Sequence, residues 1–189
     1  MRSWLRTDLL IAVSALLISS LTCVATIVQT RVIANHLSAT VWPYLSYDST
    51  FDRGSVDVEL ENDGLGPALI RSASLAVDGR PMATWEDAGK ALGKLPGAKS
   101  GRSSFSSLGP GSVIRSGASH PLVHLTITTA SATQNATAMV QLRRWLQERV
   151  VVTVCYCSTL ENCWLLRSAP GNSLPAEVAR CPDAAQIGV

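Results

Sequence analysis

Charged residues are scarce in this sequence. Lys and Arg number 16 and Asp and Glu number 14 among 189 residues, which gives a formal net charge of +2. Proteins that bind nucleic acid or strongly acidic partners usually carry a clear basic excess or a run of basic residues. Neither is present, so we expect no nucleic-acid partner, and the charge balance gives no reason to expect a strongly acidic one.

The motifs of common catalytic sites are also missing. The segment GKALGKL (89–95) has three residues between its glycines where a phosphate-binding loop has four, and a leucine where that loop needs a hydroxyl. The pair Gly64 and Gly66 lacks the third glycine of a dinucleotide-binding turn, and no G-x-S-x-G nucleophile motif occurs. We therefore expect no enzyme activity, no catalytic residue and no cofactor.

Histidine is rare as well, with three in the chain. His120 and His124 are four residues apart, a spacing that brings two metal ligands together on a helix. The alternating sequence around Pro121 predicts a strand instead, in which four residues span about 13 Å. That separation is too large for one metal ion, and we expect no histidine metal site.

One long apolar run is present near the N-terminus. Leu9–Val28 contains twenty residues without a charge. Twenty helical residues span about 30 Å, the thickness of the hydrocarbon layer of a bilayer. The run has no charged face, unlike the amphipathic helices of soluble domains. It predicts a transmembrane helix over 9–28, continued as a juxtamembrane helix over 29–40 because nothing breaks the helix before Pro43.

Two kinds of cleaved leader are alternatives to a permanent anchor. A signal peptide has a shorter apolar stretch followed by a small-x-small cleavage site, and no such site follows this run. A lipoprotein leader would use Cys23, but Thr22 and Ser20 are a poor match for the residues that precede a lipidated cysteine. The longer run favours a signal-anchor that stays in the protein.

The flanking charges set the expected orientation. Arg2 and Arg6 precede the helix, and Arg31 is the first basic residue after it. The positive-inside rule then leaves residues 1–8 in the cytoplasm and places the C-terminal domain outside. In a bacterium this predicts a single-pass protein of the cytoplasmic (inner) membrane with a periplasmic domain, where disulfides persist.

The transmembrane helix has one face of small and hydroxylated residues. Ala15, Ser19, Thr22 and Thr26 share that face. Such residues allow membrane helices to pack closely, so this face predicts contact with a second copy or with a partner membrane protein. The alternative is that the hydroxyls bond to their own helix backbone.

Sequence pattern predicts strands in the part of the chain that follows the juxtamembrane segment. Ser55–Glu61 alternates Val and Leu with acidic residues, the period-2 pattern of a strand, and Ala68–Val77 is predicted as another strand that ends at Asp78-Gly79. The turn residues Asn62-Asp63-Gly64 between them predict an antiparallel hairpin, with glycines that allow positive φ.

Helical signals interrupt the strands twice. Thr84 is suited to cap a short helix that ends at Leu92, and an apolar stripe over Ala136–Arg149 predicts an amphipathic helix capped by Asn135 or Thr133. Residues 93–112 are rich in Gly, Ser and Pro and predict a loop. The fold expected for residues 41–169 is mainly β, an antiparallel immunoglobulin-like β-sandwich with one or two short helices, followed by an irregular tail over 170–189 held only by Cys181.

Four cysteines follow the apolar run: Cys155, Cys157, Cys163 and Cys181. Zinc sites usually use C-x2-C turns, and redox centres often use the same spacing; neither is present. Cys157 and Cys163 flank a five-residue loop between two strand-like segments, so they can stand opposite each other, which leaves Cys155 for Cys181. Three pairings are open to four cysteines, and zinc binding or free thiols remain alternatives to disulfides.

The segment ENDGLGPALI (Glu61–Ile70) resembles an N-x-G-x-G-P-A motif of uncharacterised bacterial proteins with an immunoglobulin-like fold. CYCSTLENCW (Cys155–Trp164) is similar to the closing hairpin of single-pass membrane proteins of that kind. The resemblance implies an anchored extracytoplasmic β-sandwich without catalytic residues.

The function expected from the sequence is therefore that of a membrane-anchored scaffold or partner-binding module, held in the lipid bilayer and without enzyme activity. The competing hypothesis is a thiol-redox or zinc-binding protein that uses the C-terminal cysteine cluster.

Overall fold

The computed structural model describes residues 2–168, 174–182 and 187–188, with side chains described from Leu9 onward except at 35, 38 and 39. Met1 of the expected cytoplasmic segment 1–8 lies outside the described residues. So do residues 169–173, 183–186 and 189, which make up about half of the expected tail. The chain divides into two compact units between Thr40 and Val41.

The first unit is one helix, α1, which spans Arg2–Thr40. Within it Leu9–Ala34 forms a 26-residue stretch with a mean hydropathy of 2.3 and no buried part. This stretch is long and apolar enough to cross a membrane. The helix continues without a break through the segment 29–40 and ends three residues before Pro43, whose ring disfavours helical geometry in the preceding residue.

The second unit is built on two antiparallel sheets, and the whole chain is mainly β, with 42% strand and 32% helix. The first sheet has the order β1 (Leu45–Asp52), β2 (Ser55–Asn62), β7 (Ser119–Thr129) and β5 (Ala98–Phe105). The second has the order β10 (Ala176–Val178), β9 (Cys163–Arg167), β8 (Val150–Cys157), β3 (Ala68–Val77) and β4 (Arg80–Met82), with β6 (Val113–Ile114) also paired to β3. Helices α2 (Trp85–Leu92) and α3 (Ala132–Glu148) complete the described elements.

One hydrophobic core is shared by the two sheets. In β2, Val56, Val58 and Leu60 are completely buried and alternate with exposed or half-buried residues, so the period-2 prediction for this strand is confirmed. In β8, Val150, Val152, Val154 and Tyr156 face the same core. Burial on one face of each sheet stabilises the domain by removing apolar surface from water.

The prediction that β2 and β3 form a hairpin is wrong. β2 pairs with β1 and β7, whereas β3 pairs with β8, β4 and β6. Residues 63–67 therefore carry the chain from one sheet to the other. Tight hairpins form instead where the backbone has positive φ, at Gly54 and at the Asp78-Gly79 pair, as two-residue hairpin turns require.

The expected loop over 93–112 contains an edge strand. β5 pairs with β7 through its backbone, and seven of its eight side chains are exposed. A strand that buries so little has no hydrophobic alternation to reveal it, which is why its Gly and Ser content suggested a loop. Leu108 in the same region is completely buried, so the segment also contributes to the core.

The third helix begins earlier than expected. Ser131 is its N-cap and accepts a hydrogen bond from the Gln134 backbone N–H at 3.3 Å, so neither Asn135 nor Thr133 caps it. The first turn is polar and exposed and left no apolar signal in the sequence. By contrast, the cap predicted for α2 is confirmed, because the Thr84 hydroxyl accepts from the Asp87 N–H at 3.1 Å.

The tail is held at more than one point, so the expectation that Cys181 alone fixes it is wrong. β10 adds to the edge of the second sheet by pairing with β9. Ile187 is buried and exchanges two backbone hydrogen bonds with Leu108. A three-residue strand and a single buried residue are too short to produce a recognisable pattern.

The turn between β3 and β4 is tied to the end of α3 by a bidentate ion pair. Arg149 donates from Nε and Nη2 to the carboxylate of Asp78, at 2.9 and 2.6 Å. This hydrogen-bonded guanidinium holds the pKa of Asp78 below its ordinary value of 3.8. The carboxylate thus favours the folded state above that pH and loses its contribution as the pH falls through the lowered pKa.

We expect Asp78→Asn to lower the melting temperature at neutral pH, with a difference from the original chain that shrinks below about pH 4 as the original carboxylate becomes protonated. Asn tolerates the positive φ of position 78, so the turn is kept. Thermal unfolding from pH 7 to pH 2.5 measures this effect. Glu148→Gln, which breaks an exposed pair with Arg144, is the control. A difference for Asp78→Asn that stays constant into acid would contradict the account.

Candidate functional site

The closing hairpin of the second sheet carries the first disulfide. Cys157 in β8 lies directly opposite Cys163 in β9, and the two are bonded with their Cα atoms 4.0 Å apart. The intervening loop is closed by a hydrogen bond from the Ser158 N–H to the Asn162 carbonyl at 2.8 Å. Glu161 takes positive φ to complete the turn.

The second disulfide joins the same strand to the tail. Cys155 is bonded to Cys181 with Cα atoms 5.6 Å apart and a sequence separation of 26 residues. Cys155 and Cys157 are two positions apart on β8 and face away from the core side chain of Tyr156. The structure therefore contains the Cys157–Cys163 and Cys155–Cys181 disulfides, the pairing that the hairpin spacing favoured over the two other possible pairings.

An open pocket of about 900 Å³ lies over these disulfides. Cys157, Cys163 and Cys181 line it together with Arg71, Arg180 and Glu161. Arg71 is the extra residue of a β-bulge, since Ile70 pairs with Tyr156 and Ser72 with Cys155. Bulges redirect side chains, which explains how a strand residue reaches the pocket.

The sulfur atoms of the pocket lie close together. The Sγ atoms of Cys157, Cys163 and Cys181 are all within 4.8 Å of one another, and those of Cys157 and Cys181 are 3.8 Å apart. Metal ligation and nucleophilic attack both require a thiolate. All four sulfurs are held in disulfides here, so the zinc and redox alternatives both require at least partial reduction.

A buried hydrogen-bond network around the Asn62 side chain lies where the chain crosses between the sheets. Asn62 is completely buried, and its Oδ1 accepts from the N–H groups of Tyr44 and Gly64, both at 3.1 Å. Its Nδ2 donates to the carbonyls of Gly66 and Ile114, both at 2.9 Å. The side-chain amide therefore satisfies backbone groups from three separate segments.

The glycines of this crossover serve close packing rather than positive φ. The positive-φ glycines of the described chain do not include Gly64 and Gly66, so the expected turn role is wrong. A Cβ atom at Gly64 would overlap the backbone of residues 42–44, and one at Gly66 would overlap Val41. Trp42 accepts backbone hydrogen bonds from Leu65 and Gly66 at 2.9 and 3.2 Å, which holds the two segments in contact.

A tyrosine hydroxyl completes the anchoring of the first strand. Tyr156 is completely buried, and its hydroxyl accepts a hydrogen bond from the Leu45 N–H at 3.1 Å. Burial raises the pKa of this phenol to about 12. The ring also stacks on Trp164, with centroids 5.9 Å apart.

The two buried tyrosine hydroxyls of the domain should respond differently to removal. We expect Tyr156→Phe to lower the free energy of unfolding by about 1–3 kcal/mol, because the buried Leu45 N–H loses its acceptor. Tyr47→Phe should be neutral or stabilising, since the Tyr47 hydroxyl is buried and has no hydrogen-bond partner within the described part of the chain. Denaturant unfolding of the two variants checks this, and equal losses would contradict it.

An apolar groove lies at the other end of the domain, between the first sheet and the two short helices. Its volume is about 390 Å³. The half-buried side chains that form its floor and walls are Leu92, Leu95, Leu125, Ile127 and Trp145. On β5, Gly101 lies opposite Ile127 and Ser103 opposite Leu125. These two small residues share the face of the apolar pair, and so they leave it uncovered.

Cationic residues lie at this groove and on the adjoining face of β5. Lys94, Lys99 and Arg102 are among its described lining residues, and no described carboxylate is. Arg102 lies between Gly101 and Ser103, so its side chain projects from the opposite face of β5. In the part of the chain that the structure describes, none of the three forms a salt bridge, and β5 ends its sheet. The small net charge of the chain gave no sign of this local cluster, because it is balanced by acidic residues elsewhere. The three cationic residues lie near one another only because β5 is positioned beside α2 and α3.

The remaining residues singled out from the sequence do not converge. His124 lies on β7 with its Nδ1 2.5 Å from the Asp57 carboxylate, and both side chains are exposed. His120 lies four residues earlier on the same strand, as the alternation predicted. These positions place one exposed histidine within hydrogen-bond distance of one exposed carboxylate.

The small-residue face of α1 is exposed along its length. The Thr22 and Thr26 hydroxyls donate to the carbonyls of Ile18 and Thr22, both at 2.8 Å. The hydroxyls thus bond within their own helix, which was the alternative to a packing role. Association through the face of Ala15, Ser19, Thr22 and Thr26 stays a prediction.

No protein-family model matches this chain, and no curated protein is significantly similar to it.

Proposed function

We propose that this protein is a single-pass protein of a bacterial inner membrane whose C-terminal domain binds a partner outside the cytoplasm without catalysing a reaction. The exposed apolar stretch Leu9–Ala34 supports an anchoring role for α1. Arg2 and Arg6 before it favour an N-terminus in the cytoplasm. Two disulfides in the second unit fit an oxidising compartment on the other side.

The immunoglobulin-like character of the domain is part of the proposal. Its support is the pair of antiparallel sheets around one core, with chain crossings between sheets at residues 63–67 and through α3. The resemblance of Glu61–Ile70 to the motif of such proteins falls on the first of these crossings.

The observation that carries the partner-binding role is the cationic apolar groove beside the edge strand β5. An edge strand presents unpaired backbone groups, to which an extended peptide can add as a further strand. The uncovered Leu125 and Ile127 offer contact for apolar side chains on one face of such a peptide. Lys94, Lys99 and Arg102 favour acidic side chains around it. The occupant we propose is an extended acidic segment of a partner protein with apolar residues at alternate positions.

The full chain in nanodiscs provides the test, with amide NMR shifts or anisotropy as the readout. A nine-residue peptide of alternating Glu and Val is the probe, and its Lys and Val counterpart is the charge control. We expect the acidic peptide alone to bind, with shifts confined to β5 and the groove. The double variant Lys99→Glu with Arg102→Glu should abolish binding, whereas Arg167→Glu on the other sheet should not.

A second variant tests the contribution of the apolar groove separately from that of the cationic residues. Ser103→Leu should fill the groove and cover Leu125 without disturbing the backbone pairing of β5, so binding should fall at least about tenfold while the melting temperature holds or rises. Equal binding of both peptides, unchanged binding by Ser103→Leu, or binding only to vesicles of anionic lipid would each overturn the assignment.

A further inference from the structure

The two disulfides of the domain touch each other. The non-bonded Sγ atoms of Cys157 and Cys181 are 3.8 Å apart, close to van der Waals contact for sulfur. The bonds also differ in access. Cys155 is completely buried and Cys157 is 3% exposed, whereas Cys163 is 9% exposed and Cys181 is half-buried. Cys157, Cys163 and Cys181 line the open pocket, and Cys155 does not.

We propose that this four-cysteine cluster exchanges disulfides with an external dithiol and passes a disulfide between its own cysteines. This activity does not depend on the groove or on the partner-binding role. The reductant is a dithiol, as found in small-molecule dithiols and in dithiol oxidoreductases. The pocket over Cys163 gives its sulfur a route of access that Cys155 lacks.

The first step is attack by a thiolate of the dithiol on the Cys163 Sγ. A mixed disulfide forms between the reductant and Cys163, the Cys157–Cys163 bond breaks, and Cys157 leaves as a thiolate. The second thiol of the reductant then attacks its own mixed-disulfide sulfur. The reductant is released as a cyclic or intramolecular disulfide, and Cys163 leaves as a thiol after taking up a proton. Two electrons have passed to the protein.

The second step is internal. The Cys157 thiolate attacks the Cys181 Sγ at 3.8 Å, a Cys157–Cys181 bond forms, the Cys155–Cys181 bond breaks, and Cys155 leaves as a thiolate that takes up one proton. The net product has one disulfide and two thiols. The tail stays tethered through Cys181 in either arrangement, so the bond can move without releasing it.

The charges of the pocket favour this chemistry. Arg71 and Arg180 line it, and within the described residues neither guanidinium is in a salt bridge. Nearby cations stabilise thiolates, and thiolates are the attacking and leaving species in exchange. Among the described residues of the lining, Glu161 is the one carboxylate.

Single-cysteine variants isolate the internal step without an added reductant. Cys163→Ser leaves the Cys157 thiol beside the intact Cys155–Cys181 bond. Cys155→Ser leaves the Cys181 thiol beside the intact Cys157–Cys163 bond. Both are made in a Cys23→Ser background, purified as full chains in detergent, acid-quenched, alkylated and mapped by mass spectrometry without reduction.

We expect the same Cys157–Cys181 bond in both variants, in at least about a tenth of the molecules, which is the share that remains when the two bonds differ tenfold in stability. The Cys155 thiol should become alkylated in the first variant and the Cys163 thiol in the second. In the unsubstituted cluster, one equivalent of dithiothreitol should yield the same bond. Absence of the Cys157–Cys181 bond from either variant, with the original disulfide intact and the free thiol fully alkylated, would overturn the proposal.

Discussion

Asn62→Ala should lower the free energy of unfolding by about 3–5 kcal/mol, one of the largest effects of any single substitution in the domain. The Asn62 amide makes four hydrogen bonds to backbone groups. Alanine removes all four and leaves buried donors and acceptors without partners, each of which costs roughly 1–3 kcal/mol unless water reaches it. The loss is structural, so we expect it whether or not a partner is bound.

Denaturant unfolding followed by tryptophan fluorescence measures this loss. Asn162→Ala is the matched control, because that side chain lies in the exposed loop of the closing hairpin and should change stability by less than about 0.5 kcal/mol. Asn62→Asp is a second variant that keeps the size but points a carboxylate oxygen at the Gly66 and Ile114 carbonyls, and it should be at least as destabilising at neutral pH. A decrease of less than about 1 kcal/mol in the free energy of unfolding for Asn62→Ala would show that the hydrogen-bond network around Asn62 does not hold the two sheets together.

Gly66→Ala should cost about 3–4 kcal/mol for a different reason. Its added methyl would occupy space already filled by the Val41 backbone. A backbone segment cannot turn aside as a flexible side chain can, so the crossover or the start of β1 must shift. That shift would strain the hydrogen bonds that Leu65 and Gly66 donate to Trp42.

Gly89→Ala is the matched control for this substitution. Gly89 lies inside α2, its φ is not positive, and no atom lies within 4 Å of a Cβ placed there. Alanine should therefore stabilise that helix by about 0.5–1 kcal/mol through its higher helix propensity. Opposite signs for the two Gly→Ala substitutions are expected from the same unfolding assay. Equal and small effects would mean that the close approach at Gly66 is not part of the native packing.

The parts of this fold that follow from sequence are those with a local physical cause. The strand Ala68–Val77 and the cap at Thr84 were predicted at their observed positions, because hydrophobic pattern and cap chemistry are local. The uncharged run likewise indicated α1. Cys157 and Cys163 could be paired from the hairpin between them, since strand pairing sets which residues face each other.

The parts that were missed depend on which sheet a segment joins. The sequence at Asn62–Gly64 has the composition of a hairpin turn, yet the chain crosses between sheets there, because the glycines are required for contact with residues 41–44. The cationic groove was missed for the same reason. Lys94, Lys99 and Arg102 are ordinary surface residues until β5 is placed at a sheet edge beside α2 and α3.

Paired reporter fusions after Val189 determine on which side of the membrane the C-terminal domain lies. One reporter is a phosphatase that needs its own disulfides and is active only outside the cytoplasm; the other is an enzyme active only inside. We expect phosphatase activity in whole bacterial cells and none from the cytoplasmic reporter. Activity of the cytoplasmic reporter with an inactive phosphatase would contradict the orientation of α1 and the oxidising compartment assigned to both disulfides.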